Sequence, residues 1–521
     1  MSELRGVSGA LPGTPSGGDG GRQGGWGAGA SHAGGLPSTR GVTGGSAPGG
    51  KQSGASPQDT VERALAAARP GSDCVVIADE TSTANLRWAA NTLTTNGVAA
   101  SRSLTVIAID RRAGGAAGVG VVSRSGLRPD QVEDVVREAE KAAAEASPAE
   151  DAAELVTGDG PVRSDASFWP DPPVATDFGV FRGFAAELGE TLRTAEAAGR
   201  KLYGFAEHGV TSTFLGTSTG VRARYDQPAG RLELNAKSPG SARSAWAGAA
   251  TRDFTDVDVS ALDAGLAQRL SWQSRTVELP AGRYETLLPP AAVSDLMIYL
   301  YWSAGARDAG EGRTVFSRPG GGTRIGDRLS SLAVDLFSDP SHPGLECAPF
   351  VVAHASGRDW SVFDNGLPAG RAPWISSGVL TALHASRYSA GLAGLPVTPA
   401  VDNLVMSSDA SGAPSLESMI ASTKRGLLLT CLWYIREVDR QTLLLTGLTR
   451  DGVYLVEDGD VVGAVNNFRF NESPVGLLSR LLEVGATEPT LPREWSDYFN
   501  RAAMPPLRVE AFNMSSVSQA S

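Results

Sequence analysis

Residues 86–123, LRWAANTLTTNGVAASRSLTVIAIDRRAGGAAGVGVVS, decide the fold class. Apolar and polar residues alternate along most of this stretch, the period of a half-buried strand. Asn96-Gly97 supplies the positive-φ pair of a tight hairpin turn, and Arg112–Gly115 reads as a second turn, so the stretch is an antiparallel meander. On its N-terminal side, DTVERALAAA (59–68) reads as a short helix and CVVIADETST (74–83) as a strand and turn. On its C-terminal side, PDQVEDVVREAEKAAAEA (129–146) carries acids in its first turn, a helix-start signal. Residues 57–150 thus form a first α+β unit.

The pattern repeats in kind further along. Residues 148–175 are rich in Pro, Asp and Ala and read as a connector. AAELGETLRTAEAAGRK (185–201) reads as a helix and 202–238 as several strands, closing near Asp256–Leu262, so 151–275 is a second α+β unit. A β-rich third unit spans 276–521. Its clearest hairpin is GVYLVEDGDVVGAV (452–465), turned at Asp458-Gly459. Residues 1–56 are dominated by Gly, Ser, Ala and Pro, a composition that cannot bury enough apolar surface to offset its ordering entropy. The expected architecture is α+β and multi-unit, with mixed and antiparallel sheets behind a disordered N-terminal tail.

Composition narrows the function classes. The formal net charge is −11 over 521 residues, which disfavours sequence-independent DNA binding through Lys and Arg. No apolar run reaches the ~18–20 residues that span a bilayer, and the N-terminus has no secretory h-region. The expectation is a cytoplasmic protein with no nucleic-acid or membrane partner. Cys74, Cys347 and Cys431 are far apart and lack CxxC spacing, so neither a disulfide framework nor a Cys-rich zinc site is implied.

LLPPAAVSDLMIYLYWSA (287–304) opens the third unit. Val293, Leu296, Met297, Leu300, Tyr301 and Ala304 follow the i, i+3, i+4, i+7 period of an amphipathic helix, and Pro289-Pro290 is a start signal. Ile298, Tyr299 and Ser303 fall off that stripe.

Several segments together resemble the TldD/PmbA family. These are the N-G-V turn and strand within 86–110, FDNGLPAGRAPWISSGVL (363–380), SRYSAGLAGLPVT (386–398), RGLLLTCLWYI (425–435) and the 452–465 hairpin. The resemblance spans residues 57–518. It departs at Asn365-Gly366, where the family has an acidic residue, and at Cys431-Leu432-Trp433, where small residues are usual. The family has a TldD-type branch with a zinc-binding HExxxH and a PmbA (TldE)-type branch without it. By this resemblance HExxxH would fall on or near Ile298, Tyr299 and Ser303. An aliphatic residue, a phenol and a hydroxyl cannot replace two imidazoles and a carboxylate around Zn²⁺, and the sequence contains no His-Glu dipeptide. The resemblance therefore implies the TldE-like branch: a non-catalytic subunit, without a cofactor of its own, of a heterodimeric metallopeptidase. Its TldD-type partner would hold the zinc and cleave unfolded or leader-type peptides. Leu428, Leu429, Thr430 and Cys431 are the expected peptide-contacting residues, by strand addition. A standalone homodimeric peptide-binding protein is the alternative.

No other pattern builds a catalytic site. His342-Pro343-Gly344 forces a turn, His354 and His384 sit in apolar or Ala-rich stretches, and Cys431 lies in an apolar run where cysteine behaves as a small buried hydrophobe. GGAAGVG (114–120) and PGGGTRIGDR (319–328) lack the spacing of dinucleotide or P-loop motifs and read as turns or flexible loops.

Overall fold

The computed structural model describes residues 55–158, 169–408, 411–450 and 452–518. The tail expected over residues 1–56 lies outside the described residues up to residue 54. Ser56 is inside them: its side chain accepts from the Asp59 amide and caps the first helix, α1 (Pro57–Ala67), supplying an oxygen to an amide that has no partner within the helix.

The first sheet contains β1 (Asp73–Ala89), β2 (Thr92–Arg111), β3 (Ala117–Ser125), β4 (Lys201–Thr217), β5 (Arg222–Lys237) and β6 (Ser244–Thr251). Its spatial order is β3-β2-β1-β4-β5-β6, antiparallel throughout. The 57–150 and 151–275 segments are thus joined by the β1–β4 seam, which runs from Val75↔Thr217 to Trp88↔Gly204. Local patterning shows two runs of strands; only the long-range pairing shows that they are one sheet. One face carries four helices. α1 and α2 (Val132–Glu145) cover Cys74, Val76, Ala78, Leu104 and Val106, while α3 (Arg182–Ala197) and α4 (Val259–Trp272) cover Ala84, Leu86 and Trp88. The opposite face buries Val75, Ile77, Ile107 and Ile109 against Phe350, Val352, Val362 and Phe363.

One turn moves. Asn96 and Gly97 lie inside β2, opposite Leu86 and Asn85. The chain reverses at Ala90 (φ 50°) and Asn91 (φ 66°) instead. Both residues adopt the positive φ that a two-residue hairpin requires, and tertiary bonds hold Asn91 there: its side chain accepts from the Leu202 amide at 2.6 Å and donates to the Arg200 carbonyl at 2.8 Å. The β1 strand also continues through 80–83, where the sequence suggests a turn.

The rest of the chain forms two further sheets. Their strands are β7 (Thr276–Val277), β8 (Gly282–Leu288), β9 (Val334–Ser338), β10 (Ala372–Ser376), β11 (Val379–Leu380), β12 (Leu404–Ser408), β13 (Arg425–Leu429), β14 (Leu432–Asp439), β15 (Leu444–Thr449), β16 (Val453–Glu457), β17 (Asp460–Val465), β18 (Phe468–Glu472), β19 (Leu481–Val484), β20 (Glu488–Thr490), β21 (Ala502–Met504) and β22 (Leu507–Val517). One sheet runs β11-β10-β9-β12-β21-β20, the other β14-β15-β18-β22-β8-β13-β16-β17-β7, with β19 beside β22. Parallel pairs at β12–β21, β13–β8 and β17–β7 make both mixed. The β16–β17 hairpin turns at Asp458 (φ 50°) and Gly459 (φ 89°), as the sequence predicts.

The helix opening this unit, α5 (Pro290–Trp302), is not amphipathic in place. Pro290, Ala292–Ile298, Leu300 and Tyr301 are all buried, and α5 packs against β8, β20 and β21. A helix apolar on nearly every side belongs inside a core. Ile298, assigned by periodicity to the outer face, is fully buried within it.

Candidate functional site

The face of α5 that carries Tyr299 also carries Asp295 and Trp302, at i−4 and i+3, a spacing that aligns side chains on one side of a helix. Asp295 is the only charged residue of α5, and it is fully buried. Its carboxyl accepts from the Glu494 amide at 2.9 Å, and its backbone carbonyl accepts from the Trp495 indole at 2.8 Å. Burial, with the Glu494 charge beside it, holds the Asp295 carboxyl well above the usual carboxylate range, because a dry surrounding disfavours the charged form. Trp495 packs edge-on against both Tyr299 (5.6 Å) and Trp302 (5.1 Å). Burial pushes the Tyr299 phenol up to about 12, so it stays protonated at neutral pH.

The 493–497 segment also reaches the outer strand β14. The Glu494 carboxylate accepts from the amides of Tyr434 (3.0 Å) and Ile435 (3.2 Å) and from Arg436 (3.0 Å). The Tyr299 phenol lies beside the Glu437 backbone of the same strand. On the other side the same segment grips the first sheet. Arg493 donates to Glu233 of β5 at 2.6 Å, and its guanidinium lies over the rings of Trp246 (4.9 Å) and Trp433 (4.4 Å). Ser496 donates to Glu233 at 3.1 Å, and Asp497 pairs with Arg231. The first sheet, α5 and β14 therefore meet at one short segment of chain.

Zinc does not fit at Ile298, Tyr299 and Ser303, where the resemblance places HExxxH. Ile298 has no donor atom and sits in the core. Tyr299 offers a protonated phenol. The Ser303 hydroxyl donates to the Tyr299 carbonyl at 2.9 Å. Among the described residues no three His, Cys, Asp or Glu side chains are grouped to hold a metal ion. His342 packs on Phe337, His354 bonds Thr105 of β2 at 3.1 Å, and His384 is buried between Tyr301 and Trp374. Burial raises the Cys347 thiol to about 12, away from thiolate chemistry.

The expected peptide-contacting stretch lies at β13. Leu428 and Leu429 lie in β13, hydrogen-bonded to β8 on one edge and β16 on the other. No edge is left there for an added strand. Thr430 is tied to Gly452, its amide donating to the carbonyl at 2.8 Å, and Cys431 is buried. The buried sheet centre and an open edge carry the same apolar run, so composition could not separate them. Asp295, Arg493, Glu494 and Trp495 were not singled out by sequence. Asp295 had a usable signal, a lone acid in the otherwise uncharged run PAAVSDLMIYLYW; the other three are ordinary loop residues until the fold gathers them.

Comparison with known proteins follows this geometry. The fold is similar to that of TldE from Thermococcus kodakarensis, with a TM-score of 0.70 at 17% identity over 88% of this chain and 99% of that one. It is also similar to two proteins described as proposed modulators of DNA gyrase. The one from Thermotoga maritima gives a TM-score of 0.68 at 16% identity over 88% and 99% of the two chains. The one from Bacteroides thetaiotaomicron gives 0.67 at 15% over 88% and 98%. No curated protein matches by sequence. Residues 281–516 match the PmbA/TldA metallopeptidase C-terminal domain, in a chain whose fold follows these structures nearly end to end.

Proposed function

We propose that the chain is the non-catalytic, TldE/PmbA-like subunit of a heterodimeric zinc metalloprotease. Its TldD-type partner carries the zinc, and the pair cleaves unfolded or leader-type peptides in the cytoplasm. The observation that carries this reading is the α5 face. Where the family's catalytic branch needs two imidazoles and a carboxylate, this chain has a core isoleucine, a protonated phenol and a hydroxyl turned onto its own helix. In a zinc peptidase the metal polarises the peptide carbonyl and activates water; here the chain's share is to wall the channel and restrict what enters it. The similarity of its fold to TldE agrees with that assignment.

The test is zinc content and peptidase activity on an unfolded peptide, for this chain alone and mixed with the TldD-type protein of its own genome. Inactivity alone, with activity and co-elution in the mixture, is the expected result. Stoichiometric zinc and hydrolysis by this chain alone would overturn it. An inactive mixture without co-elution would turn the reading to a standalone peptide-binding protein.

A further inference from the structure

β14 breaks its register at one point. Trp433 pairs Leu448 and Arg436 pairs Thr446, so Tyr434 and Ile435 together stand opposite Gly447 alone, the two-against-one count of a β-bulge. Tyr434 takes φ 51° there, a left-handed conformation that is an outlier for a bulky side chain. Two successive amides are thereby turned onto one group. The Glu494 carboxylate accepts from the Tyr434 amide at 3.0 Å, from the Ile435 amide at 3.2 Å and from the Arg436 guanidinium at 3.0 Å. Consecutive amides gathered in this way form an anion-binding concavity, and a guanidinium beside them adds a charge-assisted bond.

The strand is shaped around a carboxylate that comes from 60 residues further along the chain. The Glu494 backbone is fixed to α5, its amide donating to the Asp295 carboxyl at 2.9 Å, so the side chain alone reaches the bulge. The receiving side is open to solvent. Tyr434 is 53% exposed and the Arg436 side chain 63%, and Tyr498, just past Glu494 in the chain, is exposed as well. Two buried polar groups at the same place have no partner among the described residues: the Trp433 indole N–H and the Arg493 Nε. The Arg493 guanidinium lies 4.4 Å over the Trp433 ring, which packs edge-on against Tyr434. Backbone strain held at an open face, with unpartnered donors beside it, marks a place where a ligand is received.

We infer that the Tyr434–Arg436 bulge is a receptor for a carboxylate carried by a peptide, and that Glu494 is its internal ligand, exchanged for the peptide's carboxylate on binding. A free C-terminus and an acidic side chain present the same group, and backbone concavities of this kind capture C-terminal carboxylates. The exchange replaces one set of charge-assisted bonds by an equal set and needs only the Glu494 side chain to turn. The internal ligand sets a threshold, because a site held by its own chain shows an apparent affinity reduced by the fraction of time it is occupied. The inference rests on the proposed function for its peptide, and it names the part of that peptide this chain holds.

Fluorescence anisotropy with the full-length chain tests this. The probe is a labelled, uncharged, unfolded peptide in three forms: free C-terminal acid, C-terminal amide, and C-terminal amide with one internal Glu. Glu494→Ala is expected to bind an acid-bearing form roughly tenfold tighter or more than wild type does, and the plain amide no tighter. A gain for the free acid names the C-terminus as the source; a gain for the internal Glu names an acidic side chain. Adding Arg436→Ala to Glu494→Ala is expected to lose the gain. Should circular dichroism show Glu494→Ala unfolded, Glu494→Gln, which keeps the shape and removes the charge, carries the same comparison. Equal binding of acid and amide forms by the emptied bulge, or a gain that survives Arg436→Ala, would overturn the receptor. That result from a chain that still forms an active complex with a TldD-type protein would sink the receptor and leave the proposed function standing. Acid-selective binding by a chain that neither co-elutes nor supports hydrolysis would do the reverse.

Discussion

β2 and β14 are both outer strands, yet one is sealed and the other bare. Along β14, the Glu494 carboxylate takes the Tyr434 and Ile435 amides. Along β2, no described group meets Thr95–Ser101. The sealed edge lies beside α5; the open edge lies far along the other sheet. Backbone edges left open invite another chain, so the difference separates an edge capped by its own chain from one that no described residue covers.

Rebuilding the motif is the harshest way to break that comparison. I298H/Y299E/S303H places an imidazole in a dry core and removes the Tyr299 ring. It is expected to cost more than ~4 kcal/mol and to bind no stoichiometric zinc, as read by denaturant unfolding and metal analysis. A folded, zinc-loaded triple variant would show that the site is closed by side-chain identity alone. Next in size is Glu494→Ala, which strips acceptors from two β14 amides and is expected to destabilise by about 2–4 kcal/mol, seen as a lower urea midpoint.

The third prediction concerns pH. The raised Asp295 carboxyl keeps its proton in the native state, while the unfolded chain releases it above about 3.8. Stability contributed by that proton is full at low pH and is lost as pH rises from 3.8 through the native value. Wild type is therefore expected to lose stability relative to Asp295→Asn between acidic and mildly alkaline buffer; parallel pH profiles for the two proteins would refute it. A smaller effect, within about 1 kcal/mol, is expected for Tyr299→Phe, which loses only the hydroxyl beside β14; its melting temperature reports it. Smallest in stability is Val98→Lys, within ~0.5 kcal/mol of wild type, since Val98 is exposed.

The elements themselves were largely legible. α2 was clear from its apolar stripe: Val132, Val135, Val136, Ala139 and Ala143 are buried and the opposite face is solvated. The Asp458-Gly459 hairpin was clear because the turn chemistry is contained in two residues. The Asn96-Gly97 turn failed for the same reason in reverse. Its local signal was strong, but Asn91 is held in its turn by Leu202 and Arg200, more than a hundred residues away. α5 was recognisable as a helix, yet its surroundings were not, since a helix buried on all sides satisfies a stripe pattern as readily as an amphipathic one.

By itself, then, the sequence determined the α+β class, most of the helices, the absence of any His-Glu dipeptide and the family resemblance. These depend on side-chain chemistry and on periods of two and 3.6 residues, both local. Only the tertiary structure decided that the first two units share one sheet, that β13 is paired on both edges, that Glu494 caps β14, and that no described residue covers Thr95–Ser101. Whether a strand's hydrogen-bonding groups are free depends on which distant strand lies beside it, and backbone amides leave no mark in the sequence of side chains.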